Sequence, residues 1–477
     1  MKIPSFLHKT GMAHVDSTVY DDLRLSKIFS GIALFHITRP LDGYSILMRQ
    51  NFFRSLEDPD FYEKISDLYA TLRAFESSKR KLAAAGNEQE KIFLKIKYFR
   101  FAISALEKLR TLPRENEIAE SVVQYFCAQC YTDFFAKTRA DFCEIDKLLE
   151  KIRVLDISFS DRIKLYPDRD SKSYCEEVSD IAKAFSVSKK QKRNFSAALD
   201  KSVSKAIVEF FKNEYSLIED LLPILPDDYE KTLLEYMNEL EFYLSISEFF
   251  SKFESDGIAL CYPLISQEKQ YYAKNVRDAY LLKKGFNTVP NDICFSAAKG
   301  FYFLIGANSG GKTTYLRTAA INLLLFLSGC KIFAEEACIY PFKNVFTHFP
   351  KDERFDGVSR FDEELQRANQ ILNVCDDESF VFVNEAFSGT DEKTGSRLAL
   401  TFANTAICKR AFGLFVTHFK NVKDDNIPVL FATLDKNNHP TYKIQPSSHK
   451  EASFVDSIIK KYRLDKDSLM TRLKYDE

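Results

Sequence analysis

A chain of 477 residues has room for about three domains at ~150 residues each. With 45% hydrophobic and 28% charged residues it is not a disordered segment. Lys and Arg number 67 against 68 Asp and Glu, a net charge of −1, which excludes a uniformly basic nucleic-acid binder but permits a local basic patch.

Met1 to Lys9 have no apolar core of signal-peptide length. No later run reaches the ~18 apolar residues of a membrane span; the longest, Ala319 to Leu327, is short and contains Asn322. The expectation is a cytoplasmic protein with no membrane partner. Phe61, Ile65, Leu68, Leu72 and Phe75 step by four and three residues, as do Ile92, Ile96, Phe99, Ile103 and Leu106 beyond a turn at Gly86-Asn87. Each set is one apolar stripe on a helix, and the two helices are long enough for an antiparallel hairpin of roughly 30 Å. Among ten cysteines, Cys127 and Cys130 have CxxC spacing. With no second CxxC and no nearby histidine cluster, they read as buried thiols on a helix.

Lys189, Lys190, Lys192 and Arg193, followed by Lys201 and Lys205, form a basic cluster. It reads either as a solvated loop or as a tip that contacts DNA phosphates and releases counterions. A third long helix is predicted from about Asp228 to Phe253, with Leu233, Met237, Leu240 and Leu244 as its stripe and a stop at Asp256-Gly257. An Asp cap at 227 or 228, after Pro223 and Pro226, would start it.

Near residue 257 the pattern changes. Phe301–Ile305, Ser379–Val383 and Gly413–Val416 are short runs, almost wholly apolar, that alternate with helical segments. Strands apolar at every position are buried on both faces, so a mainly parallel α/β sheet is expected. The domain boundary is placed here: an all-α region over 1–256 and an α/β region over 257–477.

Gly306-Ala307-Asn308-Ser309-Gly310-Gly311-Lys312-Thr313 satisfies GxxxxGK[ST], between a predicted strand and a predicted helix from Thr314 to Ser328. Its glycines let backbone N–H groups turn around phosphates, and the helix N-terminus adds a positive dipole. Lys312 would reach the β- and γ-phosphates of ATP and Thr313 would ligate Mg²⁺, with Thr314 beside them. Phe380-Val381-Phe382-Val383-Asn384-Glu385 has the form of a Walker B strand. Asn384 stands where an acid usually holds the metal, and Glu385 is the candidate general base. An amide brings no charge, and two unit charges at 4 Å are worth up to roughly 4 kcal/mol at an effective dielectric of 20. The departure therefore predicts weaker Mg²⁺ binding. Thr417-His418 ends the next strand, where His418 would sense the γ-phosphate. Ser359-Arg360-Phe361 opens a helix predicted to run to Leu372. Its serine is either a cap or, as in ABC-type ATPases, a group offered to ATP on the opposite subunit.

These segments together resemble the MutS family, from about Tyr262 onward and more loosely before it. Lys312-Thr313-Thr314-Tyr315-Leu316-Arg317 resembles its GKSTYMR run, and Ser359 to Glu364 its STFMxE signature. Asn384-Glu385 with Ser388-Gly389-Thr390 resembles DE…GT, and Thr417-His418-Phe419 resembles THY/THF. Val289-Pro290-Asn291-Asp292 looks like the strand before the P-loop, and Arg49 to Asp58 like the start of the family's core domain. The resemblance implies an ABC-type P-loop ATPase domain joined to an all-α core and lever domain. It also implies a homodimer closed through the ATPase domains, DNA as partner, and ATP with Mg²⁺ as cofactors. The segment 450–477, around Ala452 to Leu473, is similar to the family's terminal dimerisation helices. Three departures stand out. Nothing resembles a mismatch-reading domain before the core, the clamp region of about 155–225 is short, and the adenine-stacking position falls on Thr288, with Phe286 as substitute. A nucleotide-gated DNA clamp with little turnover, and another ABC-type ATPase of chromosome maintenance, remain as alternative readings.

Overall fold

The computed structural model describes residues 3–7, 15–86, 88–129, 133–153, 155–159, 163–167, 211–222, 225, 227–306, 309–350, 360–419, 422, 424, 426–437 and 439–446. The basic cluster Lys189–Arg193, most of the clamp region, Cys130, Ala307, Asn308, Ser359 and the segment 450–477 lie outside the described residues.

Three helices come first: α1 (Ser17–Asp22), α2 (Gly31–Ile37) and α3 (Gly43–Ser55). Then follow α4 (Pro59–Ala84), α5 (Glu88–Arg110), α6 (Glu117–Gln129), α7 (Asp133–Arg153), the hairpin strands β1 (Leu155–Phe159) and β2 (Ile163–Pro167), α8 (Lys212–Leu221) and α9 (Asp227–Ser255). The remainder alternates: β3 (Leu264–Ile265), β4 (Gln270–Val276), α10 (Ala279–Lys283), β5 (Asn291–Ser296), β6 (Phe301–Gly306), α11 (Lys312–Leu327), β7 (Glu336–Ile339), β8 (Asn344–His348), α12 (Arg360–Val374), β9 (Ser379–Asn384), α13 (Glu392–Cys408), β10 (Phe412–Val416), β11 (Val429–Leu434) and β12 (Pro440–Pro446). By compactness the chain forms one unit from Met1–Phe6 with Asp58–Leu240, and another from Leu7–Glu57 with Glu241–Glu477.

In the first unit, Asp58 caps α4 by accepting the Phe61 N–H at 3.0 Å, and Pro59 opens the helix where its missing donor costs nothing. Phe61, Ile65, Leu68, Leu72 and Phe75 are all buried, and Phe75 stacks on Tyr98 of α5 at 4.8 Å between centroids. The α5 stripe is buried at Ile92, Ile96, Phe99 and Leu106, while Ile103 is half-buried. Its N-terminal half packs with Ile145, Leu148, Tyr215 and Ile218 of α7 and α8. Cys127 is half-buried on α6.

The face of α9 differs from its predicted stripe. Leu233, Tyr236, Leu240 and Tyr243 are buried, whereas Met237 and Leu244 are half-buried. A tyrosine ring can be buried once its hydroxyl has a partner, a condition that hydropathy does not register. Tyr236 meets it by donating to Pro4 O at 2.6 Å. The helix stops as expected: Gly257 has φ 74, and the Gly257 and Ile258 N–H groups return to Glu254 O and Phe253 O, both at 3.0 Å.

The second unit is built on a six-stranded sheet in the order β12-β11-β6-β10-β9-β8. All its neighbouring strands are parallel except β12, which runs antiparallel to β11. Every residue of β9 and β10 is buried, as the apolar runs require. Helix α11 is buried along nearly its whole length, which suits a helix apolar on all sides. A second sheet, β3-β7-β4-β5, is mostly antiparallel. Asn291 and Asp292 open β5 of this second sheet, and β6, the expected run Phe301–Ile305 with Gly306, is the strand that enters the loop.

Residues 17–55 belong to this unit because buried polar contacts hold them there. Arg49 donates to Ser328 O at 3.2 Å, Gln50 to Pro263 O at 3.1 Å, and Arg317 Nε to Asp22 O at 3.0 Å. Asp22 also pairs with Arg367 and accepts from Thr347 Oγ1 at 2.6 Å. The change of periodicity at 257 marks a change of element type, whereas compactness follows these contacts.

Gly413 lies in β10 between β6 and β9, and a Cβ there would overlap the Phe301 ring and sit 2.9 Å from Val381 O. Gly413→Ala should therefore lose about 1–3 kcal/mol in denaturant unfolding. Gly389→Ala, with nothing within 4 Å of the added carbon, should stay within about 0.5 kcal/mol of wild type. Equal midpoints for the two variants would contradict this packing.

Candidate nucleotide site

Strand β6 ends at Gly306, which has φ 131 and lies against β11: a Cβ would come within 3.0 Å of Ala432 N, O and Cβ. No other residue tolerates both that conformation and that approach. Ser309 has φ 65, and Gly311, with φ 88, is the N-cap of α11. The loop thus turns tightly into the helix N-terminus, where unpaired N–H groups and the helix dipole favour an anion. Gly310 is buried, and Thr313 and Thr314 are half-buried. Lys312 is 4% exposed and donates to Gly306 O at 2.9 Å. Burial holds its pKa below the ordinary lysine value, partly offset by the Glu385 charge.

The parallel sheet brings the end of β9 to the same edge. Thr313 Oγ1 donates to Asn384 Oδ1 at 2.9 Å, so the P-loop threonine and the Walker B position are in contact. Glu385 follows with φ 49, its N–H held by Val416 O at 2.8 Å. Phe387 has φ 65, and its N–H donates to Glu364 Oε2 at 2.7 Å. Left-handed conformations at two non-glycine residues cost of order 1–3 kcal/mol each and persist only when their surroundings enforce them.

A cavity of about 600 Å³ opens over the loop. Its lining includes Ser309, Gly311, Lys312, Thr313, Thr314 and Glu385, together with Asp278, Phe286, Thr288 and Tyr442. Phe286 is 58% exposed and available for stacking, while Thr288 is 6% exposed and its carbonyl accepts from Arg277. His418 is exposed at the end of β10, tilted against Phe419, and is not among the cavity-lining residues.

Tyr442 and Asp278 are among the lining residues that escaped sequence reasoning. Tyr442, 50% exposed with φ 59, lies against Gly311, with Cδ1 3.3 Å from the position of a Cβ there. Asn291 secures it by donating to Tyr442 O at 2.9 Å and accepting from Ile444 N–H at 2.8 Å. No local pattern announces that placement. Asp278 caps α10 through the Leu281 N–H at 2.7 Å and accepts from Thr318 Oγ1 at 3.1 Å; burial raises its pKa.

For a metal, Thr313, Asn384 and Glu385 offer only oxygen donors, the set that suits Mg²⁺ when phosphates complete its shell. Among the described residues no group of three or more His, Cys, Asp or Glu could hold a metal ion. The donor set therefore fits Mg²⁺ carried in with a nucleotide. Among the described residues no helix is long and apolar enough to cross a membrane.

Residues 302–462 match the family model of MutS domain V. The DNA mismatch repair protein MSH3 of Candida glabrata is 27% identical over 240 residues, which is 48% of this chain and 23% of that protein. Endonuclease MutS2 of Bacillus cereus is 26% identical over 224 residues, 46% of this chain and 28% of that protein. In these stretches the chain is similar to proteins of the MutS family. The matched stretch spans about a quarter of the length of these MutS-family relatives. Residues 302–462 contain the P-loop, the β9 terminus and Tyr442.

Beside this site, His348 at the end of β8 is 1% exposed, and its ring Nε2 lies 2.9 Å from Glu364 O. A carbonyl only accepts, so Nε2 carries the proton. Burial lowers this histidine's pKa to about 4. An unfolded histidine titrates near 6.5, so the neutral ring supports folding above about pH 6.5, and the support fades as pH falls towards about 4. The loss should reach about 3 kcal/mol. His348→Gln, which keeps an N–H donor, should flatten the stability profile between pH 7 and 4.5 in denaturant titrations. An unchanged slope would contradict the neutral, buried ring.

Proposed function

We propose that this MutS-family chain is a homodimeric, Mg²⁺- and ATP-dependent DNA-binding ATPase acting in DNA repair or recombination. The observation that carries the reading is the contact between Thr313 and Asn384 at the mouth of a glycine-lined loop. It joins the two sequence elements that phosphoryl chemistry needs at one point. The names of the relatives, a mismatch repair protein and an endonuclease of the same family, support DNA as the partner.

In this reading Gly306, Ala307, Asn308, Ser309, Gly310 and Gly311 wrap a triphosphate with backbone N–H groups. Lys312 turns from Gly306 O to the β- and γ-phosphate oxygens. The Thr313 hydroxyl and the Asn384 amide oxygen hold Mg²⁺, which supplies charge neutralisation on the phosphates. Glu385 orients the attacking water, His418 reports on the γ-phosphate, and Thr314 supports the helix end. Phe286 and Tyr442 embrace the base, with Thr288 below. Ser359 reaches the nucleotide of the partner subunit, and the segment 450–477 helps the two copies associate. Residues 257–477 act as the ATPase region and 1–256 as the helical core and lever region with a reduced clamp over about 155–225. Lys189, Lys190, Lys192 and Arg193 contact DNA phosphates, so DNA affinity falls steeply with salt.

A second reading, a nucleotide-gated DNA clamp with little turnover, is favoured by one feature: Asn384 offers the metal no charge. Phosphate-release assays separate the two. Wild type should turn over MgATP, and Lys312→Ala should lower kcat/KM by at least about 100-fold; equal activity in that variant would refute the P-loop assignment. Asn384→Asp should leave the rate within a few-fold if the amide suffices, whereas a large gain favours the gated clamp. For the base, Phe286→Ala and Tyr442→Ala should each weaken adenine-nucleotide binding by about three- to tenfold. Unchanged affinity in both would remove the stacking roles.

A further inference from the structure

We propose that Glu364 is a positioning residue: it sets the orientation of Glu385 by holding the Phe387 amide, and so couples helix α12 to the hydrolytic water. The inference rests on the reading of Glu385 as the group that orients that water.

The segment Glu385–Phe387 leaves β9 through two left-handed residues, with φ 49 and φ 65, neither of them glycine. Such a turn does not hold itself; its neighbours must hold it. Two hydrogen bonds bracket it. At one end the Glu385 N–H donates to Val416 O at 2.8 Å, an extension of the sheet ladder. At the other end the Phe387 N–H donates to Glu364 Oε2 at 2.7 Å. The second bond alone comes from a side chain, and that side chain belongs to a different element. Glu364 is 4% exposed, and a hydrogen bond to a carboxylate shielded from water is stronger and more directional than one at the surface.

Helix α12 is fixed on its other flank. His348 Nε2 donates to Glu364 O at 2.9 Å, and Arg367, one turn further on, pairs with Asp22 and donates to Thr347 O at 2.8 Å. The backbone of residue 364 is thus tied to the end of β8 while its carboxylate grips the loop after β9. Helix α12 begins at Arg360, directly after Ser359, the group proposed to reach the partner's nucleotide. A displacement of α12 would pull on the Phe387 amide and turn Glu385.

The test uses the full chain with two variants, Glu364→Ala and Glu364→Gln, and two readouts. In hydrogen–deuterium exchange, Glu364→Ala should speed exchange over residues 385–387 by about tenfold or more while β6 and β10 stay as protected as in wild type. Glu364→Gln should restore the protection, because its amide oxygen still accepts. In turnover, Glu364→Ala should lower kcat by about 10- to 100-fold with MgATP affinity within about threefold of wild type, and Glu364→Gln should recover most of it. Unchanged exchange at 385–387 overturns the proposal. So does exchange raised across the whole sheet, which marks a merely structural residue, and so does an unaltered kcat against an active wild type. A wild type without turnover sinks the hydrolysis reading alone, and the exchange result then decides the role of Glu364.

Discussion

One hydrogen bond, 2.9 Å from Thr313 Oγ1 to Asn384 Oδ1, joins two segments 71 residues apart. It exists because β6 and β9 run parallel within one sheet, each beside β10, so that both reach the same edge with their carboxyl ends. Parallel strands buried on both faces leave function only at such an edge, where the chain turns into helices. The glycines follow from this crowding: at Gly306 even a methyl group would meet the backbone of β11. The tight glycine-rich loop is therefore a consequence of the sheet order.

Four of the seven non-glycine residues with positive φ among the described residues fall where the chemistry is proposed. Among the described residues, Ser309, Glu385, Phe387 and Tyr442 all have positive φ, and all lie in or beside the cavity. Three of them are held by a neighbour: Glu385 by Val416, Phe387 by Glu364, and Tyr442 by Asn291. The packing of β6, β10 and α11 supplies the rigid frame that makes such conformations affordable. Lys312, buried and bound to Gly306 O, shows the same economy, since its charge is kept close to where an anion would sit.

How much of this was readable beforehand depends on the range of the interaction. The P-loop is a local pattern, and its glycines, its lysine and the flanking strand and helix can be read from eight residues. The strands β6, β9 and β10 are nearly unbroken apolar runs and fall within a residue of their expected bounds, and the stripes of α4 and α5 repeat with the helical period. The contacts of Tyr442 and Glu364 are long-range, and no spacing rule carries them. The face of α9 differs at Met237 and Leu244 because Tyr236, whose hydroxyl donates to Pro4 O, and Tyr243 take buried places. The packing of residues 17–55 with the sheet unit was invisible because it depends on individual buried polar contacts such as Arg49 with Ser328, not on a stripe.

The central claim is that the loop around residues 306–313 grips a triphosphate with its metal. Calorimetric titration of the intact chain with ATP, in magnesium and then in EDTA, tests it most directly. The account predicts saturable heat at one site per chain, with affinity reduced when the metal is chelated. A flat titration in magnesium, from protein whose fold is verified by its unfolding transition, would contradict it.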